Sequence, residues 1–115
     1  MFPFPKQVDD LLPPKATEEY YKQVSSMVPD VQGFYKHFEI PGLSHCFGGA
    51  GGQPTSMFGQ LRAWVENGTA PLSSPVQYVG SDGDVWRRII CPYPQKVTPK
   101  DSCEDIKSED CWECT

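Results

Sequence analysis

Residues 34–52 read FYKHFEIPGLSHCFGGAGG, and how this run folds decides the rest of the chain. Its first seven residues are aromatic-rich and partly alternating, the pattern of a strand. Pro41-Gly42 then stops the strand. His45 and Cys46 follow side by side, and the next six positions contain Gly48, Gly49, Gly51 and Gly52. Neighbouring side chains on extended backbone point to opposite sides, so His45 and Cys46 serve different surroundings. The glycines allow dihedrals closed to other residues and a close approach to another surface. The run reads as a strand that delivers a histidine on a loop at its C-terminal end, where open α/β sheets build their sites.

A helix is expected on each side of this unit. Upstream, Thr17 is placed to cap a helix with Glu18 and Glu19 in its first turn. Tyr20, Tyr21, Val24, Met27 and Val28 recur at helical spacing, and the helix should end before Pro29-Asp30. Downstream, Met57, Phe58, Leu61, Trp64 and Val65 form an apolar stripe over about residues 55–66. Leu61, Trp64 and Val65 are read as core packing, and Asn67-Gly68 ends the helix. Two short strands, 76–79 and 85–90, flank Gly80-Ser81-Asp82-Gly83-Asp84, a hairpin loop. Arg87 and Arg88 are expected on the exposed side of the second. His37, on the face of Tyr35 and Glu39, is read as structural. From Cys91 onward the chain is expected to be irregular, and no internal repeat is present.

One strand and two helices do not complete an α/β sheet, because parallel strands need neighbours and helices on both faces. The expected class is therefore α/β, as the C-terminal part of a larger domain spanning 1–115. Within it, 1–8 is an atypical start, 9–90 the helix and strand region, and 91–115 a Cys-rich tail. Apolar helix faces without their sheet predict poor solubility.

Charge narrows the partners. The 115 residues carry 15 acidic and 10 basic side chains, a formal charge of −5. Repulsion from phosphates argues against nucleic acid. No apolar run reaches the ~20 residues of a membrane helix. The start, MFPFPKQVDD, lacks the apolar stretch of a signal peptide. The cysteines point the other way. Cys91, Cys103, Cys111 and Cys114 crowd a Pro- and acid-rich tail of the kind that needs disulfides and an oxidising compartment. With Cys46 the number is odd, so one cysteine has no partner here.

Four tail cysteines allow three disulfide pairings. A zinc site is the alternative, because Cys111-Trp112-Glu113-Cys114 is a C-x-x-C pair, but the gap between Cys91 and Cys103 is too long for a zinc knuckle. Cys46 is not read as a nucleophile: its side chain diverges from His45 and no orienting base is evident. A free thiol or an intermolecular bond are its other readings. Asn67-Gly68-Thr69 is an N-glycosylation acceptor as well as a helix stop.

Three blocks in order, FYKHFEIPGLSHCFGGAGG, LRAWVENGTAP (61–71) and RRIICPYPQ (87–95), resemble the C-terminal end of the tannase/feruloyl esterase family of α/β-hydrolases. The resemblance implies a secreted serine esterase that cleaves esters of hydroxycinnamic or gallic acids. It implies that His45 is the catalytic histidine, taking a proton from a serine and passing it to the leaving group. It implies Asp9, with Asp10 as second choice, as the acid that orients the imidazole, in the order Ser, Asp, His. Cys46 would bond a cysteine beside the nucleophile in the upstream part of the same domain. Cys91 would pair with Cys114, leaving Cys103 and Cys111 as an added local loop. No Gly-x-Ser-x-Gly and no Cys-Ser-x-Gly-Gly occurs in the chain. The serine, and the lid that binds calcium in many members, are thus expected upstream, and no cofactor is expected in these residues. The 115 residues alone are expected to be inactive; the alternative is a non-catalytic, Cys-rich secreted remnant.

Overall fold

The computed structural model describes residues 14–45 and 47–115. Helix α1 spans Pro14–Met27, a single 3-10 turn covers Val31–Gly33, and strand β1 is the two-residue Gln53–Pro54. Helix α2 is Met57–Asn67, followed by β2 (Ser74–Val79) and β3 (Val85–Ile90). The tail holds β4 (Val97–Pro99), a 3-10 turn at Glu109–Cys111 and β5 (Trp112–Cys114).

Helix α1 begins three residues before Thr17, so Thr17 lies inside it and is not its cap. A proline is tolerated in a first turn because its missing N–H would have had no partner there. Glu18 consequently sits a turn inside the helix. It is largely buried and takes ion pairs from Lys22 (2.9 Å) and Lys15 (3.0 Å). Among the described residues Tyr21 is the most buried aromatic, 2% exposed, and anchors the helix. Its ring meets Tyr35 edge-on at 5.0 Å and Tyr93 at 5.8 Å, and its hydroxyl donates to the Tyr35 carbonyl.

The expected strand at 34–40 is an extended strap with one bridge, Phe38 to Pro92. The neighbour beside it is the segment carrying Pro92 and Pro94, which lack the N–H a ladder needs. The strap is fastened by other means. The Tyr93 amide donates to the His37 carbonyl (2.7 Å), Gln32 Nε2 to the Tyr93 carbonyl (2.9 Å) and Lys36 Nζ to the Pro71 carbonyl (2.7 Å).

The hairpin expected around residues 80–84 is present. β2 and β3 pair antiparallel from Ser74↔Ile90 to Val79↔Val85, and β1 adds to the other edge of β2 through Gln53↔Gln77 and Pro54↔Val76. Ser74, Val76 and Ile90 share one face of this sheet and are buried. Arg87 is exposed as expected, but Arg88 is not simply a surface residue. It lies on that same face with its guanidinium 4.3 Å from the Trp112 ring. Cation and ring attract through the ring quadrupole, so Arg88 ties the tail to the sheet.

The tail is more regular than expected. β4 and β5 pair antiparallel from Val97↔Cys114 to Pro99↔Trp112. Cys91 is bonded to Cys114 and Cys103 to Cys111. Sulfurs bonded to one another are not thiolate ligands, so these four do not form the alternative zinc site.

The α2 stripe is the largest departure from expectation. No α2 residue is buried, and Phe58, Leu61 and Val65 are 74%, 55% and 78% exposed. The helix leans on the body along the Trp64 edge of that stripe. Gln60 Nε2 donates to the Ser73 carbonyl (2.8 Å), and Lys36 Nζ stands 5.9 Å from the Trp64 ring centre. Helical spacing reports that a face is apolar; whether this chain supplies the surface that covers it is a tertiary fact.

Candidate active site

The site is built on the loop between the strap and β1. Its entry is held by the Phe38–Pro92 bridge and its exit by the pairing of β1 with β2. Between them the two arms are laced together. Leu43 bridges Gly49, the Ser44 amide donates to the Gly48 carbonyl (3.1 Å), and the Gly51 amide donates to the Gly42 carbonyl (3.0 Å). His45 lies at the tip beyond this lacing, half-buried, and its carbonyl accepts from the Phe47 amide (2.9 Å).

Two glycines make the lacing possible. Gly49 has φ +78°, a left-handed conformation costly for other residues, and a Cβ there would run into the Gly42 carbonyl oxygen. Gly51 lies so close to the opposite arm that a Cβ would strike the Pro41 carbonyl and the Leu43 amide. The glycine pattern therefore encodes a tight two-armed loop, and the loop fixes where the His45 backbone stands. Holding a reactive side chain on a backbone tied at both ends is the arrangement that catalytic placement needs.

Beside the returning arm runs an open groove of about 310 Å³, walled by residues 48–51 on one side and by Gln77, Tyr78 and Val79 of β2 on the other. Tyr78 is held in place by stacking on Trp86, with ring centres 6.0 Å apart and planes within 11°.

His37 is placed quite differently. Its side chain is 13% exposed, its Nε2 lies 3.3 Å from Glu39 Oε1, and its ring packs against Tyr21 and Tyr93 at 5.8 and 6.2 Å. It belongs to the aromatic cluster that seats the strap. Asp9, Asp10 and Cys46 lie outside the described residues. Among the described residues no group of three or more His, Cys, Asp or Glu is arranged to hold a metal ion.

Sequence reasoning missed the polar ties that brace this unit. Asp84, in the hairpin loop, pairs with Lys107 of the tail, and the Arg87 amide donates to the Lys107 carbonyl (2.9 Å). The Lys107 ammonium lowers the Asp84 carboxyl below its ordinary range by hydrogen bonding and then by charge, and Lys107 is raised in return. Glu18 is likewise lowered, chiefly by hydrogen bonds from Lys22 and Lys15. The helical spacing of Lys15, Glu18 and Lys22 was legible in the sequence; the reach from Asp84 to Lys107 was not.

Comparison with known proteins places the chain. It is 39% identical over 101 residues to mono(2-hydroxyethyl) terephthalate hydrolase of Piscinibacter sakaiensis, covering 85% of this chain and 17% of that protein. It is 28% identical over 106 residues to feruloyl esterase B of Aspergillus niger, covering 76% of this chain and 20% of that protein. Among solved structures it superposes on an esterase from Aspergillus oryzae with TM-score 0.74 and 26% identity, over 93% of this chain and 25% of that one. Feruloyl esterase B from Aspergillus oryzae, at 23% identity, shares the fold with TM-score 0.75 over 93% of this chain and 25% of its own. The chain thus spans between about a sixth and a quarter of the length of these relatives. Residues 1–112 match the family described as tannase and feruloyl esterase, and the chain belongs to that family.

Proposed function

We propose that these residues form the histidine-bearing part of a secreted carboxylic ester hydrolase that cleaves esters of aromatic acids through an acyl-serine. The observation that carries this reading is the placement of His45: half-buried, at the tip of a loop laced between two glycine-bearing arms. Family membership gives that histidine its context. The relatives' names supply the substrate class, since feruloyl and terephthalate esters are both esters of aromatic acids.

In this reading the His45 imidazole removes the proton from a serine hydroxyl as it attacks the ester carbonyl. It then donates that proton to the departing alcohol, and repeats the cycle with water. Asp9 holds the imidazole in the required tautomer and stabilises the imidazolium. The serine, with the Cys46 partner and the donors for the oxyanion, comes from sequence beyond these 115 residues. The 115-residue chain assayed alone therefore gives no turnover. The two tail disulfides fit an oxidising, extracellular location.

The test is hydrolysis of p-nitrophenyl ferulate by the complete natural gene product, unaltered and with His45→Ala. Loss of a triad member costs several orders of magnitude in kcat, so a fall of at least ~10³-fold with KM little changed is expected. An active enzyme that keeps its rate as His45→Ala would overturn the assignment. Turnover by the isolated 115-residue chain, blocked by a serine-directed phosphonate, would overturn the placement of the nucleophile.

A further inference from the structure

We propose that Asn67 is an N-glycosylation site whose glycan projects away from the apolar face of α2. The acceptor sequence is Asn67-Gly68-Thr69, and all three residues are exposed. Asn67 is exposed at the end of its helix, so a sugar on Nδ2 can be accommodated without moving a packed side chain among the described residues. Asn67 is the last residue of α2, and Gly68 leaves the helix with φ +71°. The glycan would therefore stand at a helix end and not against a packed surface.

Helix geometry decides which way it points. At ~100° per residue, Asn67 lies about 180° round α2 from Phe58 and well away from Leu61 and Val65. These three are the exposed apolar residues that a covering surface would meet. Glycan and covering surface thus occupy different sides of the same short helix.

The transfer itself needs the acceptor to leave its helical conformation, because the Thr69 amide is bonded back to the Ala63 carbonyl (3.2 Å) and the Gly68 amide to the Trp64 carbonyl (3.1 Å). Opening this end is cheap. An 11-residue helix is marginal by itself, and α2 has no buried residue to hold its last turn. In the open form Asn67 Nδ2 attacks the anomeric carbon of a lipid-linked oligosaccharide. A C–N bond forms, the bond to the lipid pyrophosphate breaks, and the amide proton is lost to an enzyme base. The last turn then closes with the sugar outside it.

The experiment is peptide mapping of the full chain secreted from a yeast, with both tail disulfides verified by non-reducing digestion. The peptide containing Asn67 is expected to carry an N-linked glycan removable by endoglycosidase. Thr69→Ser is expected to keep it, whereas Asn67→Gln and Thr69→Ala abolish it. Secreted protein with both disulfides formed but with Asn67 unmodified would overturn the proposal. The wild-type peptide alone decides this, so a variant that fails to fold leaves the answer intact.

Discussion

Removing the bond between Cys91 and Cys114 should cost more stability than removing the one between Cys103 and Cys111, and the difference can be worked from the connectivity. The first closes a separation of 23 residues and the second a separation of 8. Loop-closure entropy then assigns about 3.4 kcal/mol to the long loop and about 2.5 kcal/mol to the short one at 25 °C. Packing losses nearly cancel in the comparison. Each pair has one buried member, Cys91 at 8% and Cys111 at 6% exposure, and one half-buried member. The long bond also holds β5 under β3, which is how Trp112 reaches Arg88. Any packing loss beyond the entropy should widen the gap in the same direction. The assay is urea unfolding of Cys91→Ala/Cys114→Ala and Cys103→Ala/Cys111→Ala, followed by tryptophan fluorescence. With an ordinary urea slope, the long-loop variant should shift its midpoint by about 1–3 M. Equal midpoints, or a larger shift for the short loop, would refute the reasoning that the long bond constrains the unfolded chain more.

Three further outcomes are expected. Glu18 has a folded pKa below its unfolded value of about 4.3, so its contribution is fully present above that pH and is lost as pH falls through the lowered folded value. Urea midpoints measured against pH should show this acid loss, and Glu18→Gln should flatten it; an unchanged profile would mean that the ion pairs of Glu18 with Lys15 and Lys22 do not stabilise the fold. Gly49→Ala places a side chain at φ +78° against the Gly42 carbonyl and should cost about 1–3 kcal/mol, read as a lowered melting temperature. A Gly49→Ala protein as stable as the original would mean that the arms are not laced as described. Finally, Phe58→Glu with Leu61→Gln should raise the concentration at which the 115-residue chain scatters light, with its circular dichroism unchanged, because both side chains are exposed in this chain.

Where local rules operate, the sequence was a sufficient guide. Asn67-Gly68 ends α2 and residues 80–84 turn the hairpin, because left-handed backbone and tight turns select glycine directly. The end of α1 before Pro29 follows from proline's missing donor. The start of α1 was misplaced because Thr17 suits a cap and Pro14 suits a first turn, and propensity alone does not rank them. The loop carrying His45 was legible from Pro41-Gly42 and the glycines after it. Its lacing was not, because the same glycines allow many closed loops.

What tertiary structure decided is partnership. A strand-like pattern at 34–40 becomes a strap because the segment beside it carries two prolines, and no periodicity in 34–40 reveals its neighbour. The tail could pair its four cysteines in three ways by counting alone, and the fold brings Cys91 to Cys114 and Cys103 to Cys111. Arg88 reads as one of two surface arginines until β5 sets Trp112 against it. The stripe of α2 reads as core until the absence of any buried α2 residue shows that the described residues leave it uncovered. Composition and spacing act through neighbours a few residues away, so they determine turns, caps and the character of a face. Which surface meets that face depends on contacts between segments distant in sequence, and only the folded chain supplies those.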